Sequence, residues 1–231
     1  MKTNKNLFIV LEGIDHSGKT SVAKKLHEIL GGVKIAFPNR ETKTGKEIDK
    51  YLKGNIYDAN NNNSLLNNTN NSLLNTNNNN NSLYNENILN NNLYNNLLNN
   101  DNKHIHILFS NNRYEQVDYI TNTLLHNNII CDRYWISGAV YSAAKGLDYE
   151  WCKELDSKLP MPDITFFLDV PFETTRQFNF GDETHDTEEL QRKIYKKYKE
   201  IEEGMVYVEN GTIEEMTERI IKYLQTNKYI I

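Results

Sequence analysis

Leu7-Phe8-Ile9-Val10-Leu11-Glu12-Gly13-Ile14-Asp15-His16-Ser17-Gly18-Lys19-Thr20-Ser21 decides the fold of this 231-residue chain. Five apolar residues predict a buried strand that ends at Glu12. Gly13-x-x-x-x-Gly18-Lys19-Thr20 then completes the G-x-x-x-x-G-K-[ST] phosphate loop. Val22, Ala23, Leu26, Ile29 and Leu30 follow at helical spacing. The motif therefore leaves a strand and opens a helix, the context its chemistry requires. Gly13 and Gly18 allow the backbone to turn and to approach an anion closely. Successive N–H groups make a nest for phosphate, helped by the helix N-terminus. His16, Ser17 and Ser21 belong to the same cradle. Lys19 brings a full charge to the terminal phosphates, and the Thr20 hydroxyl is suited to ligate Mg²⁺.

Working outward, Lys34–Phe37 predicts a second strand closed by Pro38, with Arg40 just past its end. In an open α/β sheet, ligands sit at that edge. Taken singly, Arg40 reads as a solvated loop arginine. Thr44–Leu52 predicts a short amphipathic helix. Ile105, Leu108, Phe109, Val117, Ile120, Leu124 and Leu125 form one helical stripe, with Phe109 and Arg113 four apart on one face. That pair suits a planar base, while a core ring beside a surface cation is the commoner origin of an isolated pair. Ile129–Cys131 predicts a strand that ends in Asp132-Arg133-Tyr134, followed by a helix to about Lys145 that carries Ser137, Gly138 and Tyr141. Asp163–Val170 is a strand, Pro171 starts a helix, and residues 180–187 form a polar loop. Thr187–Glu203 predicts a charged helix that includes Arg192. Met205–Val208 is the last strand, Asn210-Gly211 a turn, and Thr212 with Glu215 a capping box on the final helix. Five strands alternating with helices predict a three-layer α/β/α domain. Its five-stranded parallel sheet carries the phosphate loop after strand 1.

From about residue 55 to 102 the composition changes. Roughly half of this stretch is asparagine, with the small repeat Asn63-Ser64-Leu65-Leu66-Asn67, Asn71-Ser72-Leu73-Leu74-Asn75 and Asn81-Ser82-Leu83-Tyr84-Asn85. Such a stretch builds no dense core and is expected to be a disordered or weakly ordered surface insertion in a single domain. Self-association through polar ladders is the other reading.

The formal net charge is −5 and the chain has no basic stripe, which excludes a nucleic-acid polymer as the natural partner. Cys131 and Cys152 cannot make a disulfide framework, and they fit a reducing compartment. No apolar segment approaches membrane-spanning length. A cytoplasmic protein is expected, with a nuclear one as the alternative.

Four separated motifs together carry a resemblance. They are the phosphate loop with Asp15 at its third position, Phe37-Pro38-x-Arg40, Leu108-Phe109-Ser110-x-Asn112-Arg113, and Asp132-Arg133-Tyr134-x-x-Ser137-Gly138 with Tyr141. Leu159-Pro160-Met161-Pro162-Asp163 also matches. The chain resembles the thymidylate kinases of the P-loop nucleoside monophosphate kinase group, in their eukaryotic and poxviral form. The resemblance covers nearly everything outside the Asn-rich stretch.

It implies ATP and dTMP as substrates, Mg²⁺ as cofactor, and dTDP and ADP as products. It implies that Asp15 meets the acceptor sugar's 3′-hydroxyl and that Arg40 and Arg133 clamp the dTMP phosphate. Phe37, Asn112, Ser137 and Gly138 would belong to the same dTMP site. Phe109 would stack on thymine, Arg113 donate to a thymine carbonyl, and Tyr141 crowd the 2′ position. Asp132 would lie near the metal with Thr20, and Asn210 would lie at the adenine edge. Lys19, Asp15, Asp132 and Arg133 are thus the expected catalytic set. A homodimer is implied, with the helix around 105–126 as the expected interface.

Two departures stand out. The basic residue that often follows the loop aspartate is His16 here, and the lid run Glu183-Thr184-His185-Asp186 lacks its arginine. Losing a charge that neutralises the transition state costs on the order of 10³-fold. Arg176 or Arg192, flanking the lid, is expected to supply it with His16. A broader deoxynucleoside monophosphate kinase and a weakly catalytic nucleotide-binding protein are the competing readings. A nucleoside kinase is disfavoured, because two arginines await an acceptor phosphate.

Overall fold

Alternation along the first strand sets up two packed faces. Leu7, Ile9 and Leu11 face one layer, against Val22, Leu26, Met216, Ile220 and Leu224. Phe8 and Val10 face the other, against Ile120, Tyr134 and Leu159. The chain, seen in a computed structural model, is described over residues 5–53, 101–175, 187–201 and 204–230.

The strands are β1 (Phe8–Glu12), β2 (Val33–Ala36), β3 (Ile129–Asp132), β4 (Ile164–Asp169) and β5 (Val206–Glu209). They form one parallel sheet in the order β2-β3-β1-β4-β5. The helices in chain order are α1 (Lys19–Leu30), α2 (Lys43–Leu52), α3 (Asp101–Tyr114), α4 (Val117–Leu124) and α5 (Trp135–Ala144). They continue as α6 (Tyr149–Leu155), α7 (Phe172–Thr175), α8 (Glu188–Glu200) and α9 (Ile213–Thr226). This is the expected three-layer α/β/α fold. Strand register brings the loops together. Leu11 and Ala36 both pair with Asp132, so the loops after β1, β2 and β3 leave the sheet at one level. Three chain segments far apart in sequence thereby meet at the carboxyl edge.

The structure corrects several expectations. The stripe from 105 to 125 is two helices. Gln116 N donates to the Arg113 carbonyl at 3.1 Å, closing a turn, while Glu115 Oε2 accepts from the Thr44 hydroxyl at 2.8 Å. Leu125 lies beyond α4 and is exposed. The charged helix stops at Glu200, because Ile201 is extended. The α6 helix has no counterpart among the expected elements; Asp148 caps it by accepting from Trp151 N. α3 covers Asp101–Tyr114 and so takes in the end of the stretch assigned to the insertion. The insertion between 55 and 100, the lid between 180 and 186, and Arg176 lie outside the described residues. The Thr212–Glu215 capping box forms as expected. Cys131 and Cys152 are both buried and unbridged. No helix among the described residues is long and apolar enough to cross a membrane.

Candidate active site

Two joined cavities lie at the carboxyl edge. The larger, about 480 Å³, runs between α2, α3 and α5; the smaller, about 320 Å³, lies over the phosphate loop. Asp15, His16, Ala36, Phe37 and Arg133 line both, so Asp15, His16 and Arg133 are the polar residues at the junction.

The loop backbone is built for its task. Gly13 and Gly18 have φ of 153° and 86°. A Cβ on Gly13 would sit 2.7 Å from Ser17 Oγ, and one on Gly18 would sit 2.8 Å from Ile213 Cδ1. Lys19 folds back on the loop, its Nζ donating to the Ile14 carbonyl at 2.5 Å and to Ser17 Oγ at 3.2 Å. Thr20 Oγ1 donates to Asp132 Oδ2 at 2.6 Å, joining the start of α1 to the end of β3. Thr20, Ser21 and Asp132 line the smaller cavity with Lys19.

Burial, helped by the Arg133 charge, pulls the Lys19 pKa from 10.5 down to about 8. The folded pKa lies below the unfolded one. The buried ammonium therefore costs stability below pH 8, and that cost fades as pH rises toward 10.5. A phosphate ligand needs the protonated form. ATP affinity is therefore expected to fall as pH rises through 8, approaching about tenfold per unit, and Lys19→Arg to flatten the profile. Calorimetric titration from about pH 7 to about pH 9.5 checks both.

Arg133 has a left-handed φ of 68°, a strained state for a non-glycine residue. Its Nη1 donates to the Gly13 carbonyl at 2.9 Å and to Ser137 Oγ at 3.3 Å, and Nη2 pairs with Asp15 Oδ1. Its guanidinium lies 5.0 Å from the Tyr141 ring centroid. The Tyr141 hydroxyl, buried beside Asp15, makes no hydrogen bond of good geometry. Burial pushes the Asp15 pKa up, but the Arg133 and Lys19 charges outweigh it and hold the carboxyl below its usual range.

Several residues that hold this constellation carry no sequence motif. Glu12 is wholly buried, and its carboxylate accepts from Tyr134 N at 3.0 Å, Ser137 N at 3.2 Å, Tyr198 Oη at 3.0 Å and the Ser137 hydroxyl. It thus sits at the N-terminus of α5, where a helix favours negative charge, and fixes the helix that follows Arg133. Gln191 on α8 bonds Asp15 twice. Its Oε1 accepts from Asp15 N at 3.1 Å, and its Nε2 donates to Asp15 Oδ2 at 2.5 Å. Asp156, just past α6, takes the buried Arg113 guanidinium in two bonds of 3.2 and 2.6 Å.

The family model for thymidylate kinase matches residues 11–70 and 62–226. The thymidylate kinase of Schizosaccharomyces pombe is 30% identical over 220 residues, which is 90% of this chain and 84% of that one. That of Plasmodium falciparum is 33% identical over 203 residues, 84% of this chain and 77% of that one. Among solved structures, the Candida albicans thymidylate kinase superposes with a TM-score of 0.70 at 26% identity, covering 97% of this chain and 93% of that one. The chain belongs to the thymidylate kinase family.

Most expected site residues of the kinase converge. Phe37, Arg40, Phe109, Arg113, Ser137, Gly138 and Tyr141 line the larger cavity with Asp15 and Arg133. Arg40 also pairs with Asp49 at 2.6 Å. Gly138 is fixed by contact: a Cβ there would lie 2.6 Å from Arg113 Nη2. Gly138→Ala is expected to displace that guanidinium, lower Tm and raise KM for dTMP about tenfold, read from thermal melts and from steady-state kinetics at a temperature where the variant is folded.

Gly13 and Ser17 belong to the loop but line neither cavity, and three further expected residues lie elsewhere. Asn112 is buried outside the cavities. Its Oδ1 accepts from Asn39 N at 2.8 Å and its Nδ2 donates to the Asn39 carbonyl at 3.0 Å, so it holds the loop that carries Arg40. Arg192 points away from both cavities, pairing with Glu173 at 2.7 Å and lying 4.4 Å from the Phe172 ring centroid. One residue along a helix turns the side chain by about 100°, so Gln191 faces Asp15 and Arg192 does not. Asn210 lines neither cavity; its carbonyl accepts from Arg219 at 3.4 Å, in the turn before α9.

Proposed function

We propose that the larger cavity binds dTMP and the smaller one the phosphates of ATP, so that this kinase moves the γ-phosphoryl group of ATP onto dTMP and yields dTDP and ADP. The observation that carries the reading is the junction. Asp15, His16 and Arg133 border both cavities, where an acceptor phosphate and a γ-phosphate must meet.

In this reading Arg40 and Arg133 hold the acceptor phosphate, since forked donors suit a dianion. Phe109 and Arg113 take thymine, Asp15 takes the 3′-hydroxyl, and Tyr141 closes the 2′ side. An oxygen of the dTMP phosphate attacks the γ-phosphorus, the bond to the β–γ bridging oxygen breaks, and its electron pair leaves on ADP. The protein supplies alignment and charge. Lys19 neutralises the phosphates. Arg133 at the junction supports a role in place of the missing lid arginine, with His16 beside it.

A Mg²⁺ site fits these residues. The Thr20 hydroxyl and Asp132 carboxylate are hard oxygens side by side in the phosphate cavity. Among the described residues no group of three acidic, His or Cys side chains could cage a metal alone. That suits Mg²⁺, which takes one or two protein ligands beside substrate phosphates. When bound it would neutralise phosphate charge. Homodimer formation belongs to the same proposal. It is supported on this chain by Tyr119 and Leu125, exposed on and just past α4.

ADP release from Mg-ATP tests the reading, with dTMP, thymidine, UMP and no acceptor. Turnover is expected with dTMP, none with thymidine, and at least about tenfold less with UMP, because Tyr141 crowds a ribose. ATP binding without turnover on dTMP would favour the weakly catalytic alternative.

A further inference from the structure

The guanidinium of Arg133 has five donor hydrogens, and the protein itself takes three. Both hydrogens of Nη1 are spent, on the Gly13 carbonyl at 2.9 Å and on Ser137 Oγ at 3.3 Å, and one of Nη2 goes to Asp15 Oδ1. The Nε hydrogen and the second of Nη2 are left. They share one edge of the planar group, the same edge with which Arg113 grips Asp156, and such a fork suits a phosphate. Ser137 therefore helps decide which edge of Arg133 is offered to a ligand.

An arginine only donates, so Ser137 Oγ accepts from it and must give its single proton elsewhere. That proton goes to Glu12 Oε2. Tyr198 Oη donates to the same Oε2 at 3.0 Å and lies 2.9 Å from Ser137 Oγ. Burial, helped by the Glu12 charge, pushes the Tyr198 pKa well above the usual tyrosine range, so the hydroxyl keeps the proton it donates. Glu12 Oε1 is filled by Tyr134 N and Ser137 N. The wholly buried carboxylate is thus bonded by the segment after Arg133 and by one tyrosine of α8, 186 residues away. The Tyr198 ring stacks on Phe167 at 4.8 Å, and Phe167 pairs with Glu12 in the sheet. Seven residues earlier, on the same face of α8, Gln191 holds Asp15, the other partner of Arg133.

We propose that Glu12 and Tyr198 are positioning residues for the phosphoryl transfer. They fix the Ser137 proton, Ser137 fixes Nη1 of Arg133, and Arg133 presents its Nε–Nη2 edge to phosphate. Glutamine in place of Glu12 keeps the shape and reverses the order. Its amide oxygen is needed by the two backbone N–H groups, so its amide nitrogen faces the two hydroxyls. Ser137 Oγ then accepts from the amide and is no longer reserved for Arg133.

The inference rests on the role proposed above for Arg133. The test is a double-mutant cycle on kcat/KM for dTMP, with Glu12→Gln and Tyr198→Phe each made alone and together with Arg133→Met. Alone, Glu12→Gln should lower kcat/KM about 10²-fold. Tyr198→Phe, which keeps the ring on Phe167, should lower it about tenfold. In the Arg133→Met background each should change it by less than about twofold, because the group they position is gone. Losses of full size in that background overturn the positioning role and leave Arg133 in place, as does a folded Tyr198→Phe enzyme of wild-type kcat/KM. Unchanged turnover of Arg133→Met removes the role of Arg133, and the positioning with it. The Tyr198→Phe arm decides the outcome where Glu12→Gln does not fold.

Discussion

Arg133→Met is expected to lower kcat/KM for dTMP by about 10³-fold. Methionine keeps much of the side chain's apolar stem and discards the fork. Three effects coincide at one position. The acceptor phosphate loses a charged bidentate donor. The γ-phosphoryl group loses a cation at the junction, in a chain whose lid run has no arginine. Asp15 loses the guanidinium that, with Lys19, outweighs its burial and keeps its carboxyl ionised. Both kcat and KM should move, because the residue lines both cavities. Arg133→Lys should recover only part, since a point charge cannot copy two parallel donors. Steady-state kinetics with dTMP and ATP varied in turn gives the split. Unchanged turnover in a folded Arg133→Met enzyme would take the residue out of the machinery.

Distance along the chain separates the legible features from the hidden ones. The phosphate loop is a local device; its strand, glycines, lysine and helix lie within 24 residues, Leu7 to Leu30, and each constrains the next. The Thr212–Glu215 box is equally local, and both form as written. The parallel sheet comes from strand–helix alternation.

The supports of the site are long-range. Asp156 is 43 residues from Arg113, and Gln191 is 176 residues from Asp15. No spacing announces such pairs. Charge misleads in the same region, where Arg192 is the conspicuous residue and its neutral neighbour Gln191 makes the contact. Asn112 shows the limit of a motif, which marks a residue without saying whether it touches ligand or holds the loop that does. The helical stripe conceals its own break, because apolar spacing resumes after Gln116 with only a small phase change.

Asp156→Ala is expected to destabilise the fold by about 3–5 kcal/mol, lowering Tm by roughly 10 °C in a chain of this size. The reason lies in Arg113, which is only 2% exposed although it lines the larger cavity. Its charge is tolerated because Asp156, also 2% exposed, accepts from Nε and Nη2, and the Ser110 hydroxyl adds a bond of 2.8 Å to Oδ1. Removing the carboxylate strands a desolvated guanidinium. Removing both partners does not. Arg113→Met with Asp156→Leu replaces the pair by apolar volume, and its Tm should return to near wild type.

Function should separate the two variants in the opposite way. The double variant regains stability yet keeps a KM for dTMP raised about tenfold or more, because no donor remains at the base edge. A double variant with normal KM would show that Arg113 serves the fold alone. Thermal melts and dTMP kinetics on the wild type, the single variant and the double variant therefore divide the ion pair's work between holding the seam of α3, α5 and α6 and reading the acceptor base.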